Sequence, residues 1–169
     1  MDKRINIIDT VIYAAIKTQN DSGYGNSLSD IYRIFNIPYS SVKASADRLE
    51  ECGLIEITYN NGKAVCIEAK LPNDDTDKIP KTILMSKDLD LRNKAFLLSI
   101  WIDVSDDGIL DYTKKTLHEE VFKELRVGLA WVTSRITELS SFGILYVNGR
   151  SIQININKIV NMSDNIIAD

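Results

Sequence analysis

The feature that most constrains the fold of this chain is an internal repeat, because two copies of one unit are expected to adopt the same structure. Sliding the sequence by about 90 positions brings similar residues into register in the same order along both halves. The aligned pairs are Ile12 with Ile102, Ile31 with Val121, Phe35 with Leu125, Ile37 with Val127, Val42 with Val132, Ala46 with Ile136, Leu49 with Leu139, and Gly53 with Gly143. Chance matching in an isoleucine-rich chain is the alternative. The shared order of the matches favours two tandem copies of one small domain.

The boundary between the copies is predicted within residues 70–80. This segment contains Pro72 and Pro80, two of the chain's three prolines, together with a run of turn-forming polar residues. Proline neither continues a helix nor fits a central strand, so regular structure should stop there. We therefore predict a first domain over residues 1–70, a linker over 71–87, a second domain over 88–157 and a C-terminal tail over 158–169.

The first copy is predicted to form three helices followed by a β-hairpin. Isoleucines at helical spacing predict a helix over residues 3–19, and Ser27 is placed to cap a second helix. A third helix, with a buried face of Val42, Ala46 and Leu49, should end at Gly53. Alternating apolar residues on both sides of Asn60-Asn61-Gly62 predict the hairpin.

The second copy is predicted to have the same elements with one addition. A first helix over about residues 91–104 precedes a short strand that begins at Ile109. A capping box from Thr116 to Glu119 should start the second helix, and the third helix should span about residues 130–142. The closing hairpin is predicted to turn at Asn148-Gly149.

Together these elements resemble the winged-helix superfamily, in which a tight turn precedes the third helix and a two-stranded wing follows it. The pattern occurs as Ile37-Pro38-Tyr39-Ser40-Ser41-Val42 leading to Leu49-Glu50-Glu51-Cys52-Gly53-Leu54-Ile55, and again over residues 127–132 and 139–145. The resemblance implies a mainly α fold with small β wings, of the α+β class, as tandem winged-helix domains. It also implies a choice between DNA binding and protein interaction, because tandem winged helices serve both.

If the first copy binds DNA, its third helix should enter the major groove by its N-terminal half. Hydroxyl side chains, a lysine and a small alanine suit a helix pressed against base edges. The candidates for base or phosphate contact are Tyr39, Ser40, Ser41, Lys43 and Ala44 on the helix, with Arg48 and the wing residue Lys63 placed for phosphates. Asp47, Glu50 and Glu51 oppose this interpretation, and a solvated face of mixed charge is the alternative.

The second copy is the weaker DNA candidate, because its third helix begins with apolar residues. Leu129 and Trp131 are predicted to pack or to form a protein interface, such as that of a homodimer. The polar candidates for DNA contact in this copy are Arg126, Thr133, Ser134, Arg135 and Arg150.

The composition argues against most chemistry. One histidine and two distant cysteines cannot supply a histidine-based triad, a zinc site or a disulfide framework, so we expect no enzyme activity, no metal and no cofactor. No apolar run approaches the roughly 18–20 residues of a membrane span, and no secretory signal is apparent, so a cytoplasmic location is expected. The net charge of −4 excludes a basic nucleic-acid coat.

These observations predict a sequence-specific binder of double-stranded DNA, most plausibly a regulator of transcription. Its abundant isoleucine and asparagine, encoded by A/T-rich codons, indicate a genome of low G+C content, of which a viral or plasmid genome is one example. A protein that binds a replication origin is an alternative within the same class. An adaptor that uses winged helices to bind other proteins is the alternative from a different class. The acidic net charge favours it, as does the apolar start of the third helix in the second copy.

Overall fold

The computed structural model describes residues 5–23, 27–70, 81–101, 103–105, 108–155 and 157–159. These residues are mainly helical and include two small antiparallel sheets, which confirms the α+β class. Among the described residues no helix is both long and apolar enough to cross a membrane.

The first half contains helices α1 (Ile7–Ser22), α2 (Leu28–Phe35) and α3 (Tyr39–Glu51), followed by strands β1 (Ile55–Asn60) and β2 (Lys63–Ala69). The helix predicted from residue 3 begins later, because Asn6 caps α1 and its side chain accepts the backbone N–H groups of Ile8 and Asp9. The predicted cap of α2 is confirmed: Ser27 and Asp30 form a reciprocal capping box.

The second half contains α4 (Lys81–Met85), α5 (Leu91–Trp101), β3 (Ile109–Leu110), α6 (Lys114–Leu117), a π-helical turn (His118–Phe122), α7 (Leu129–Ser141), β4 (Leu145–Asn148) and β5 (Ser151–Ile154). The predicted short strand is present as β3, which pairs with β5 in a sheet of order β3-β5-β4. The predicted cap at Thr116 was wrong. Thr113 is the N-cap and Thr116 closes its capping box, so the helix starts one turn earlier.

The two hairpins differ in which residues form the turn. In the first, Asn61 and Gly62 both have positive φ angles of 50° and 75°, as the predicted Asn-Gly turn requires. In the second, Asn148 pairs with Ser151, so the turn consists of Gly149 and Arg150 rather than Asn148-Gly149. Arg150 therefore lies at the exposed tip of that hairpin.

The 90-residue offset of the sequence is reproduced in the backbone hydrogen bonds. Before α3 the amide of Ile37 donates to the carbonyl oxygen of Tyr32 (3.3 Å), and before α7 that of Val127 donates to that of Phe122 (3.2 Å). After the two helices, Leu54 donates to Leu49 and Ile144 donates to Leu139, both at 2.9 Å. The intervening glycines, Gly53 and Gly143, have φ angles of 71° and 69°. The turn, the helix and the start of the hairpin thus follow the same backbone path in both halves.

One hydrophobic core is shared by both halves. Helices α1 and α5, the first long helices of their halves, pack against each other. Residues 7–20 of α1 include no exposed side chain, and residues 93–98 of α5 are all buried. Helix α4, which lies inside the predicted linker 71–87, adds the fully buried Ile83 and Leu84 to this core.

Candidate nucleic-acid interface

The N-terminal half of α3 presents a polar outer face. The side chain of Tyr39 is 45% exposed, Ser40, Lys43 and Ala44 are exposed, and Ser41 is half-buried. The opposite face of the helix is buried, and its members are Val42, Ser45, Ala46 and Leu49. The helical period thus brings most of the candidates of the first copy onto one accessible surface.

The N-termini of α3 and α7 lack the side-chain caps that start α1, α2 and α6. Pro38 and Gly128 precede the two helices, and neither provides a side-chain hydrogen bond to the first turn. Neither helix has an acidic residue in its first turn. With neither a side-chain cap nor an acidic residue in the first turn, the N-termini of α3 and α7 are compatible with an approaching phosphate.

Arg48 does not belong to the outer face of α3. Its guanidinium binds the carboxylate of Asp9 in α1 through Nη2–Oδ1 (2.6 Å) and Nε–Oδ2 (3.0 Å) contacts. Asp9 is fully buried, and the hydrogen bonds that Arg48 donates to its carboxylate raise the pKa of Arg48 despite partial desolvation. The guanidinium that was predicted to contact a DNA phosphate is therefore already bound by Asp9, so Arg48 is not assigned to the interface.

The acidic residues of α3 are confined to its C-terminal half. Asp47 and Glu51 are exposed, while Glu50 accepts the backbone N–H of Ile57 in β1 at 3.2 Å. Tyr59, which is also in β1, lies close to the Glu50 carboxylate. Partial desolvation, together with the charges of Glu50 and Asp47, raises the pKa of its phenol. Positive and negative charge are thus separated along the helix, with Lys43 at the end predicted to meet DNA.

Of the remaining first-copy candidates, Lys63 begins β2, directly after the exposed Asn61-Gly62 turn. Its backbone pairs with Asn60, and its side chain lies outside the described part of the structure.

In the second copy the outer face of α7 is less charged than expected. Ser134 is exposed and Thr133 is half-buried, but the side chain of Arg135 is only 11% exposed. Its Nη1 atom lies 2.6 Å from Glu138 Oε2 and 3.3 Å from the amide oxygen of Asn93. Arg135, like Arg48, is thus bound within the protein and is not assigned to the interface.

Trp131 packs against the core of its own half. Its ring lies 6.1 Å from that of Phe96 and 5.9 Å from that of Phe122, and these two phenylalanines stack at 5.1 Å. Leu129, two residues earlier at the start of α7, is 43% exposed. Arg126 and Arg150 are both exposed, Arg126 with a positive φ of 58° in the turn before α7.

Three polar residues that hold the helices together were not predicted from the sequence: Asp9, Asn93 and Lys94. Asp9 and Lys94 are fully buried, and Asn93 is nearly so. A signal existed for Asp9, because it lies four residues after Ile5 on the apolar face of the first helix. A charged residue at such a position requires a partner, and the sequence alone does not identify which arginine supplies it.

No family model, curated protein or solved structure matches this chain. Within the described ranges, no group of histidine, cysteine, aspartate and glutamate side chains is arranged to hold a metal ion.

Proposed function

We propose that this chain is a sequence-specific binder of double-stranded DNA, built from two tandem winged-helix units. The observation that carries the proposal is the accessible face of α3, where Tyr39, Ser40, Lys43 and Ala44 surround an N-terminus without a side-chain cap. The repeated turn, helix, glycine and hairpin support the winged-helix assignment, as does the sheet order β3-β5-β4 in the second half.

In this proposal α3 enters the major groove with its N-terminal half foremost. Lys43 is suited to the O6 and N7 acceptors of guanine, and Ala44 to the methyl group of thymine. The hydroxyls of Tyr39 and Ser40 and the first N–H groups of the helix would bind flanking phosphates, which set the register. The acidic C-terminal half of α3 would remain outside the groove.

The hairpin tips would follow the DNA backbone. Lys63 of the first hairpin and Arg150 of the second are each at or next to a two-residue turn, and Arg126 precedes α7. Lys63 and Arg150 thus supply two phosphate-neutralising groups at the hairpin tips, so binding should weaken with salt, with a logarithmic slope of about −2 from these groups.

The biological role we propose is regulation of transcription. Binding to a replication origin would use the same contacts and belongs to the same class.

A direct test compares Lys43→Glu with a charge-matched control, Lys81→Glu, in fluorescence anisotropy on random and AT-rich duplexes at about 50 mM salt. Both variants change the net charge equally, and Lys81 is an exposed residue of α4. We expect Lys43→Glu to lose binding and Lys81→Glu to retain it. Absence of binding by the unmodified chain at this salt concentration contradicts the proposal, because electrostatic affinity is greatest there.

A second candidate function, protein interaction through the second half, is favoured by one observation. Several large apolar side chains there are exposed: Leu129, Phe142, Tyr146 and Val147. Exposed apolar side chains are candidates for protein contact. Light scattering over a range of concentrations tests a homodimer: Leu129→Ser probes the start of α7 and Tyr146→Ser probes β4, and dissociation by either variant assigns the contact to that element.

A further inference from the structure

We propose that one copy of this chain binds a bipartite DNA site, in which two different half-sites are held about one helical turn apart by α3 and α7. This inference rests on the proposed DNA-binding function and specifies its partner. The alternatives are a chain that reads a single half-site and a chain whose two units move independently.

The two halves are joined by their equivalent helices. Helices α1 and α5 occupy the same place in the two repeats, and they pack against each other. Each therefore buries one side against its own half and another against its counterpart, which explains why both are buried nearly all round. Contact between equivalent elements is the arrangement found in symmetric dimers. Here it occurs within a single chain.

Lys94 adds a second link across the same interface. Its buried ammonium donates hydrogen bonds to the carbonyl oxygen of Phe35 (2.6 Å), at the end of α2, and to that of Leu84 (2.8 Å) in α4. One side chain of α5 thus binds the first half and the preceding segment at once. Because a displaced Lys94 would leave a charge and two carbonyls unpaired in the core, the halves are expected to move together.

Polar contacts also fix α3 to α1 and α7 to α5. Arg48 of α3 binds Asp9 of α1, and Glu138 of α7 accepts a hydrogen bond from Asn93 of α5 at 3.0 Å. Arg48 and Glu138 are 90 residues apart, so the same repeat position performs the same task with opposite charge. The two helices proposed to enter the major groove, α3 and α7, are therefore anchored by polar contacts to α1 and α5, which join the halves.

This chain of contacts limits the separation of α3 and α7. The order α3, α1, α5, α7 contains three helix-to-helix contacts, and packed helices lie about 8–10 Å apart. The axes of α3 and α7 are then at most about 30 Å apart, and their exposed side chains extend further. Successive major grooves on one face of a duplex are about 34 Å apart. This upper limit is comparable with the groove spacing, and the inference requires both outer faces to contact the same side of one duplex.

The two reading faces differ at equivalent positions, so the half-sites must differ too. Tyr39 and Ser40 of α3 correspond to Leu129 and Ala130 of α7, and Lys43 and Ala44 correspond to Thr133 and Ser134. The first face carries a lysine and hydroxyls, which suit guanine and phosphate. The second is neutral and partly apolar, which suits thymine methyl groups.

Selection of bound duplexes from a random pool tests this inference with the full chain. We expect two enriched segments of different sequence, with centres about ten base pairs apart, and one chain per duplex by light scattering. Lys43→Glu should remove enrichment of one segment and Ser134→Glu that of the other. Circular dichroism checks that both variants are folded, as expected for substitutions at exposed positions.

Spacing variants of the selected duplex test whether the separation is fixed. Insertion of five or of ten base pairs between the segments should weaken binding by about tenfold or more, because a rigid protein cannot follow either change. Full affinity after the ten-pair insertion would overturn the fixed separation. A single enriched segment, or a palindrome bound by two chains, would overturn the bipartite site while leaving DNA binding intact. No enrichment of any duplex would instead overturn the proposed function.

Discussion

Arg48 and Asp9 lie 39 residues apart in the sequence and form a bidentate ion pair between α3 and α1, with Nη2–Oδ1 and Nε–Oδ2 distances of 2.6 and 3.0 Å. Asp9 also accepts the backbone N–H of Asn6 at 2.8 Å and so closes the capping box of α1. One buried carboxylate therefore both starts the first helix and orients the proposed reading helix. The Arg48–Asp9 pair therefore contributes both to the stability of the protein and to the position of α3.

Replacing Arg48 with alanine should destabilise the protein by about 2–4 kcal/mol, because a buried carboxylate loses its charged partner. The value lies toward the lower part of the range for buried pairs, since the Arg48 side chain remains 33% exposed. Urea unfolding followed by circular dichroism measures the change.

Arg33→Ala is the matched control for Arg48→Ala. Arg33 also pairs with an aspartate, Asp30, at 2.8 Å, but its own side chain is 77% exposed. Exposed pairs contribute about 0–1 kcal/mol. Equal stability of the two variants would show that the Arg48–Asp9 pair contributes no more than a surface contact.

Local patterns predicted much of the fold, and long-range contacts account for what they missed. The Ser27 cap, the glycine that ends α3 and the Asn-Gly turn each depend on a few adjacent residues, and all three are present. The direction of Arg48 depends on a residue of another helix, which sequence spacing does not reveal. The same holds for α4, whose five residues are too few for a helical period and become ordered by burial against the shared core.

The face of α3 was easier to predict than its charge balance. The spacing of Val42, Ala46 and Leu49 determines which side is buried, and the exposed candidates follow by exclusion. Whether Glu50 opposes DNA depends instead on β1, where its side chain accepts a backbone N–H from Ile57. No pattern within α3 itself carries that information.

Lys94 should give the protein a distinctive dependence of stability on alkaline pH. Burial lowers its pKa from the ordinary 10.5 to about 8, outweighing the opposing attraction of Asp90. The folded state therefore loses this proton before the unfolded chain does. Between about pH 8 and 10.5 the unfolded state binds more protons, and stability rises with pH through this group.

The variant Lys94→Met isolates the contribution of this group from those of all other titrating groups. Relative to this variant, the free energy of unfolding of the unmodified chain should increase by about 2–4 kcal/mol from pH 7.5 to 10.5. Denaturant titrations at four or five pH values measure the difference. Parallel pH profiles for the two proteins would mean that Lys94 titrates normally.

Trp131→Ala should destabilise the second half by about 2–4 kcal/mol, because a large side chain is removed from its contacts with Phe96 and Phe122. Trp131→Phe should recover much of the loss, since an aromatic ring is retained. Thermal unfolding and light scattering are measured together. A change in oligomeric state without loss of stability would favour an interface role over packing.

The salt dependence of binding separates residues that neutralise phosphates from those that read bases. Arg150, exposed at the tip of the second hairpin, is proposed to neutralise a phosphate. Arg150→Ala should therefore weaken binding to all duplexes about equally and reduce the magnitude of the salt slope by about one. Lys43→Ala should instead weaken binding to the selected duplex more than to random DNA, because a contact to guanine carries sequence information.

Anisotropy titrations from about 50 to 200 mM salt on both duplexes measure the slope and the preference together. If Arg150→Ala leaves the slope unchanged while Lys43→Ala lowers it, Arg150 does not contact a phosphate and Lys43 does.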